Sequence, residues 1–477
     1  LKEIVKLKPA GLILSGGPSS VYLKNAPTVN KKIFSLGIPI LGICYGWQLI
    51  AHLLAGEVIN GKKEYGPQIL KIHGNAGTKF FRGLPKISTV WVSHGDTVMK
   101  LPLDFISFGS TENVQYAAAA DLKRKIYGVQ FHPELEHTKF GQQILKNFLQ
   151  NICYHVSEHD NKVDLKTKTE EIISRIKKQV GNQKAICAVS GGVDSTVAAY
   201  LAAQAIGKNL IPVYVESGLM RIGTNEEIKI IFKALGIKPI IVKAKNLFLK
   251  KLHNVTDYRK KRKIIGNLYI KLFEKEAKRL KNIKFLVQGT LYSDFIESQG
   301  TKHSSNIRFH HNVSGLPKNM KLTLIEPLRE FYKDQVREIA KILKLPRGII
   351  SKQPFPGPGQ AIRIIGKVTS LRLKRQQLAD SILLKEIKKA GFYEKVFQSF
   401  TVCTGTQSTG VKGDLRFFGE VIALRIYDSK DIMSAGWSKL PYELLQKISS
   451  KIVNEVPGVS RVVYDITTKP PATMEWE

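Results

Sequence analysis

The stretch ILGICYGWQLIAHLLAG, Ile40–Gly56, decides how the first third of the chain folds. It is apolar almost throughout, but Gly42, Gly46, Gln48 and His52 interrupt it and Pro39 precedes it, so it does not read as a membrane span. It reads as a strand, a sharp turn and a helix, with Cys44 held between two glycines. Such a turn needs small neighbours where chain segments crowd. It lifts the sulfur from the end of a sheet to a helix N-terminus, where thiolate is favoured over thiol. This is the cysteine form of a nucleophile elbow. A buried cysteine after a strand is more often structural, so the reading depends on a base and an orienting acid elsewhere.

VQFHPELEH, 129–137, supplies both. Residues two apart on an extended strand point to one side. Pro133 biases His132 toward extended geometry, so Glu134 can hold the imidazole in one tautomer. LSGGP, 14–18, follows another apolar run, and its glycines can offer backbone N–H groups to an oxyanion. GLILSGG, IPILGIC, TVWVSHGD and IYGVQFHPE each put a polar or glycine-rich turn at the end of an apolar run, which is how α/β proteins place their chemistry.

On SGGP, GICYGWQ, WVSHGD and FHPELEHT, residues 1–158 resemble the class I glutamine amidotransferases. The resemblance implies an α/β domain with an open, mostly parallel sheet. Cys44 would attack the side-chain amide of glutamine, form a glutamyl thioester and release ammonia, with His132 as base and Glu134 as its orienter. Gly16 and Tyr45 fall at the family's oxyanion hole, and Gln48, Ser93, His94 and Asp96 around its glutamine. Trp47 stands where methionine is usual. The family opens with a strand and helix that would precede Leu1.

AICAVSGGVDSTVAAYLAAQAIG, 185–207, is a second strand–turn–helix. Its glycines let the backbone approach phosphate, and successive N–H groups at the helix start favour anions. No G-K-[ST] follows, so it is not a Walker A loop. The motif resembles the signature of the N-type ATP pyrophosphatases. That implies a Rossmann-like α/β domain over 159–353 that cuts ATP between its α and β phosphates and adenylates a carbonyl oxygen. Ser190, Gly191, Gly192, Val193, Asp194, Ser195, Thr196 and Lys333 would meet ATP, and Asp194 would help to hold Mg²⁺, the one expected cofactor. No organic cofactor is expected. Asp294 matches a further position near the nucleotide, within a stretch that runs into a polar loop over 297–316. Upstream, Thr167 and Glu170 have capping-box spacing before a helix whose inner face carries Ile172, Ile173, Ile176 and Val180.

QPFPGPGQ, 353–360, can be neither helix nor central strand and marks a boundary. The remainder, 354–477, alternates strands with helices, one of them amphipathic through Leu444, Leu445, Ile448 and Ile452. SRVVYDITTKPPATMEWE, QPFPGPGQAIRI and GVKGD resemble the glutamine-hydrolysing GMP synthases, and the likeness extends over the whole chain. It implies that XMP, ATP and glutamine are the partners, and that 354–477 is an α+β domain through which the chain forms a homodimer. XMP would lie near Arg221, Gln398, Asp414, Lys469 and Glu475. Glu216 and Ser217 stand where aspartate and asparagine are usual, Gly405 and Gln407 where proline and arginine are, and Ser314 where glycine is.

The net charge of +35, from 74 basic against 39 acidic residues, is scattered rather than gathered into an arm. It reads as solvated surface, and no nucleic-acid partner is expected. The four cysteines lie far apart and form neither a zinc knuckle nor a disulfide framework. Free thiols, and an opening LKEIVKLKPAG without a signal-peptide core, make a cytoplasmic location and no membrane partner the expectation. Two other readings stay open on the residues alone: another amidating or tRNA-modifying enzyme with the same pyrophosphate loop, and a non-catalytic, basic RNA-binding descendant.

Overall fold

The computed structural model describes residues 1–74, 79–154, 164–280, 283–292, 322–429 and 434–477. The polar stretch 297–316, Asp294 and Ser314 lie outside the described residues. Contacts divide the chain into two compact units: Leu1–Asn161 with Ser429–Gly436 and Thr467–Met474, and Lys162–Asp428 with Trp437–Ile466 and Glu475–Glu477.

The first unit is built on seven strands: β1 (Leu12–Leu14), β2 (Ile40–Ile43), β3 (Glu57–Ile72), β4 (Ile87–Lys100), β5 (Ile106–Ser110), β6 (Ala118–Asp121) and β7 (Ile126–Val129). Their order in the sheet is β1-β2-β7-β6-β5-β3-β4. β1, β2 and β7 run parallel, with Leu14 opposite Gly42 and Ile43 opposite Val129. The residues that follow these three strands therefore emerge side by side. The expected open α/β sheet is parallel where this chemistry sits, and β6, β5, β3 and β4 extend it by antiparallel pairing. β2, β6 and β7 are buried at every position, which a strand covered on both faces requires of its sequence.

The second unit holds a wholly parallel sheet of β8 (Lys184–Ala188), β9 (Leu210–Glu216), β10 (Ile240–Lys243), β11 (Ile283–Val287) and β12 (Thr323–Ile325), in the order β10-β9-β8-β11-β12. β9 and β10 lie to one side of β8, β11 and β12 to the other. The strand order reverses between β8 and β11, and in such sheets a ligand crevice opens at that point, beyond the carboxyl ends of the strands. The helix Val193–Ile206 leaves β8 there, and its alanine-rich surface is buried nearly all round.

β13 (Gln398–Lys412) and β14 (Leu415–Asp428) form a long antiparallel hairpin, joined in its sheet by β15 (Gly436–Trp437) and by β16 (Val459–Tyr464), which runs parallel to β14. The helices Ser370–Lys389 and Tyr442–Glu455 bury Leu373, Leu383, Leu444, Ile448 and Ile452 in one core with Val215, Phe248 and Leu268. The segments on either side of the proline-rich boundary thus share apolar packing.

One helix start differs from its sequence signal. The capping-box spacing predicts a helix beginning after Thr167, but it spans Leu165–Val180 and Asp164 is the cap, accepting from the Lys166 N–H at 3.0 Å. An aspartate caps as well as a threonine and adds a negative charge where the helix dipole favours it.

Candidate active site

Cys44 directly follows β2 and caps the helix Tyr45–Leu53, with φ 51° and ψ −106°. That left-handed conformation costs a non-glycine residue on the order of 1–3 kcal/mol and occurs where the surroundings enforce it. The enforcement is visible in the packing. A Cβ on Gly46 would lie 2.0 Å from the Leu14 carbonyl oxygen, so glycine alone lets β1 cross the start of the helix. The Cys44 N–H donates to the Val129 oxygen at 2.8 Å, which ties the elbow to β7.

His132 lies just beyond β7. Its N–H donates to the Trp91 oxygen at 2.9 Å, and its own oxygen accepts from Thr138 Oγ1 at 2.6 Å. Its Nδ1 is 2.7 Å from Glu134 Oε1. An ionised carboxylate can only accept, so Nδ1 carries the hydrogen. Burial alone would lower the basicity of His132, but hydrogen bonds to Cys44 and Glu134 and their negative charges overcome it and raise the pKa to about 10. The raised value keeps the imidazole protonated at neutral pH, beside the Cys44 sulfur. Gln130 Nε2 donates toward that sulfur at 3.8 Å, and the Ser93 carbonyl oxygen lies 3.6 Å from it. Gly16 closes the group: a Cβ there would come 2.9 Å from His132 Cε1 and 3.8 Å from Cys44 Cβ.

The other expected residues of this unit gather on the same side. Gln48 Nε2 donates to the Asp96 carbonyl oxygen at 2.7 Å, and His94 Nδ1 donates to that oxygen at 3.1 Å. The Asp96 carboxylate accepts from the Tyr22 hydroxyl at 3.0 Å. The Tyr45 hydroxyl donates to the Pro27 oxygen, and burial pushes its pKa up. Sequence reasoning missed Tyr22, Gln130 and Glu64. Glu64 lies on β3 and is buried against His94, where burial would raise its pKa but hydrogen bonds from His94 and Asn113 hold it below the usual carboxylate range.

In the second unit, Ser190–Thr196 wraps the turn from β8 into its helix. Ser190 Oγ and Ser195 Oγ lie 3.0 Å apart, and the Gly192 N–H donates to Ser190 Oγ at 3.3 Å. Thr196 Oγ1 donates to the Gly192 oxygen at 2.7 Å. Lys333, 139 positions downstream, donates to Asp194 Oδ2 at 2.6 Å, so it belongs to this loop and not to a solvated helix face. Gly289, beyond β11, abuts the loop: a Cβ there would lie 2.8 Å from the Asp194 carbonyl oxygen.

Of the five expected XMP residues, Arg221, Gln398 and Glu475 come together in the second unit. Arg221 Nε donates to Asp380 Oδ2 at 2.9 Å, and Gln398 Nε2 donates to Glu475 Oε1 at 3.3 Å. The buried Arg363 binds Glu475 through two bonds of 2.9 and 2.8 Å. Phe355 of the proline-rich stretch lies under both guanidinium groups, each 4.9 Å from its ring centre. Arg363, Asp380 and Phe355 carried no individual signal in the sequence. Lys469 falls in the first unit, where it exchanges backbone hydrogen bonds with Ala435. Asp414 does not join the Arg221 cluster. It sits exposed at the turn of the β13–β14 hairpin, whose other end pairs Gln398 with Tyr427. Fourteen strand positions separate Gln398 from Lys412, roughly 45 Å at the usual rise per residue.

Comparison with known proteins identifies the families of the segments that carry these constellations. The family described as glutamine amidotransferase class-I matches residues 1–152, NAD synthase matches 165–270, and the GMP synthase C terminal domain matches 385–476. A glutamine-hydrolysing GMP synthase from Caldanaerobacter subterraneus subsp. tengcongensis is 50% identical over all of this chain and 92% of its own length. Those of Caldicellulosiruptor saccharolyticus and Aquifex aeolicus are 51% and 48% identical over the whole chain, covering 93% and 92% of their own lengths.

The chain belongs to the glutamine-hydrolysing GMP synthases.

Several of its departures from the usual GMP synthase pattern have local explanations. Trp47 is fully buried, donates through Nε1 to the Tyr116 oxygen at 3.1 Å, and occupies space that Gly128 leaves open: a Cβ on Gly128 would meet the indole at 1.9 Å. Glu216 accepts from Asn225 Nδ2 at 2.7 Å, and the buried Ser217 accepts from the Tyr269 hydroxyl at 2.9 Å. Gly405 has φ +80°, which a proline ring cannot adopt. Gln407 is exposed at the edge of a register irregularity in β13, and nothing in the structure explains its exchange for arginine.

Proposed function

We propose that the chain aminates XMP to GMP, using ATP to activate the purine and glutamine as nitrogen source. The observation that carries the reading is the presence, in one member of the GMP synthases, of a strained cysteine elbow paired with His132 and Glu134 and of a Ser-Gly-Gly loop whose Asp194 is held by Lys333.

In the first reaction the Cys44 sulfur attacks the side-chain amide carbon of glutamine. The carbonyl electrons move to oxygen, where backbone N–H groups of Gly16 and Tyr45 are suited to receive them. The amide nitrogen takes the proton of His132 and leaves as ammonia. Water then cleaves the γ-glutamyl thioester, returning a proton to His132 and releasing glutamate. In the second reaction the xanthine 2-oxygen attacks the α-phosphorus of ATP and pyrophosphate leaves. Ammonia adds to C2, and AMP departs with the oxygen. The balance is XMP, ATP, glutamine and water to GMP, AMP, pyrophosphate and glutamate. Ammonia protonated in bulk water has no lone pair to attack with, so shielding it from solvent favours the second step.

Asp194 suits the Mg²⁺ that accompanies ATP. Its Oδ1 is buried without a hydrogen-bond partner while Lys333 takes Oδ2, which leaves one hard oxygen for a cation. Bound there, Mg²⁺ would neutralise charge developing on the departing pyrophosphate. Arg221, Gln398 and Glu475 are the proposed XMP contacts of the second unit. The expected homodimer would cover the β13–β14 turn, which exposes Val411, Leu415 and Phe418. Asp414 at that turn would then serve a second copy's XMP, since its own chain holds the Arg221 cluster at the far end of the hairpin. Among the described residues no helix is long and apolar enough to cross a membrane, and the four free cysteines suit a reducing, cytoplasmic setting.

The test is turnover with XMP, ATP and Mg²⁺, with glutamine or an ammonium salt as nitrogen source. GMP and AMP are expected in equal amounts from either. Failure to form GMP from both would refute the reading.

A further inference from the structure

The first unit contains a buried ion pair that the reaction scheme leaves unused. Glu64 Oε2 lies 3.1 Å from His94 Nε2, and both side chains are 1% exposed. The other carboxylate oxygen accepts from Asn113 Nδ2 at 3.0 Å and from Thr111 Oγ1 at 3.4 Å. On the far side of the ring, Nδ1 faces the Asp96 carbonyl oxygen at 3.1 Å. A carbonyl and an ionised carboxylate both only accept, so the His94 ring donates through both nitrogens.

The pairing is constructed rather than incidental. Asn60 of β3 lies opposite Asp96 of β4, so regular antiparallel pairing would set Lys62 opposite His94. Gly61, Lys62 and Lys63 instead face the single residue Gly95, and this two-residue excess brings Glu64 into register with His94. Bulges of this kind re-aim side chains beside active sites. Replacing a buried ion pair by apolar residues of similar volume is often neutral or stabilising, so folding alone gives little reason for this one. What the pair does shape is the mid-strand segment Ser93–Asp96 of β4, opposite the bulge. The Asp96 carbonyl is fixed by His94 from one side and by Gln48 at 2.7 Å from another. Three positions back, the Ser93 carbonyl lies 3.6 Å from the Cys44 sulfur.

We propose that Glu64 is a positioning residue for glutamine: acting through His94, it sets the Ser93–Asp96 backbone against which the substrate is held beside Cys44. The inference rests on the reading of the first unit as a glutaminase. Glu64 touches neither sulfur nor imidazolium of the triad in this arrangement, so its influence falls on substrate affinity rather than on bond breaking.

The experiment compares the full-length parent with Glu64→Ala and Glu64→Gln, measuring glutamate release against glutamine concentration with XMP, ATP and Mg²⁺ present. Ammonia-supported GMP formation serves as control. Glu64→Ala strips a buried, charged ring of its partner and should raise KM for glutamine about tenfold or more, with kcat changed by less than about twofold. The ammonia-supported rate should not change. Glu64→Gln should restore KM to near the parent value, because its amide N–H can donate to a neutral His94 Nε2 while its oxygen keeps Asn113 and Thr111. In ¹⁵N-histidine spectra His94 should show two protonated nitrogens in the parent and one in Glu64→Gln, a readout that stands even where Glu64→Ala does not fold. An unchanged KM in folded Glu64→Ala, an equal rise in both variants, or an unprotonated Nε2 in the parent would each overturn the proposal. A parent that hydrolyses no glutamine at all would instead sink the glutaminase reading beneath it.

Discussion

Replacing Glu134 by glutamine should move the alkaline edge of glutamine hydrolysis toward neutral pH. His132 must carry a proton to expel ammonia, and its pKa is raised to about 10. Burial works against that value; the hydrogen bonds and charges of Cys44 and Glu134 produce it. The sign follows directly. A raised pKa means that imidazolium is present at neutral pH and lost as pH rises through about 10, so kcat should hold across neutrality and fall on that limb. Glu134→Gln keeps an acceptor for Nδ1–H but removes the negative charge. A hydrogen bond to a charged group contributes about 1.5–3 kcal/mol and roughly half of that when neutral. The Glu134 side chain is 40% exposed, so solvent screens the charge and the lower end applies. The loss is then about 1 kcal/mol, which is somewhat under one pH unit.

The assay is the pH profile of kcat for glutamate release, from neutrality to beyond the parent's edge. kcat is the right quantity because it reports groups in the enzyme–substrate complex, whereas the amino group of free glutamine also enters kcat/KM. The parent edge should fall near 10, the value that its surroundings set for His132, and that of Glu134→Gln below it. If the two profiles share the same edge and differ only in height, the charge of Glu134 does not tune His132, and the carboxylate acts by position alone.

Cys44→Ala should abolish GMP formation from glutamine and spare that from added ammonia; loss of both in folded protein would show that the two chemistries are not separable. Asp194→Ala should abolish both routes, and Lys333→Met, which strands the Asp194 charge without its 2.6 Å partner, should slow ammonia-supported synthesis about a hundredfold, as loss of a preorganised charge does at other reaction centres. Gly46→Ala must displace either the Leu14 carbonyl, 2.0 Å from the new carbon, or the helix start, and should lower stability by about 3 kcal/mol while eliminating glutaminase activity. Calorimetric unfolding and a glutamine hydrolysis assay together check that pair of effects.

The parts of this molecule that its sequence discloses are those in which the demand and the answer are neighbours. Cys44 needs glycine two residues to either side because β1 and the helix start crowd it, and both glycines are there to be read. The pyrophosphate loop is equally local, since Ser190, Gly192, Ser195 and Thr196 bond mainly to one another. Continuous apolar runs before each turn sufficed for the α/β class. What the sequence hides is set by sheet order. Glu64 meets His94 across thirty positions through a bulge that no periodicity announces. The same rule governs Asp414. A motif likeness carries residue identity, but whether Asp414 and Gln398 share a site within one chain depends on the length of the hairpin between them, and β13 spans that interval with one register irregularity between Cys403 and Gln407. Phe355 shows the converse: its prolines and glycines mark a boundary, yet the ring becomes meaningful once Arg221 and Arg363, from elsewhere in the chain, close on it. Long-range pairs of buried charge are therefore where new functional residues of this fold are to be sought, because turn chemistry is visible in advance and cross-sheet chemistry is not.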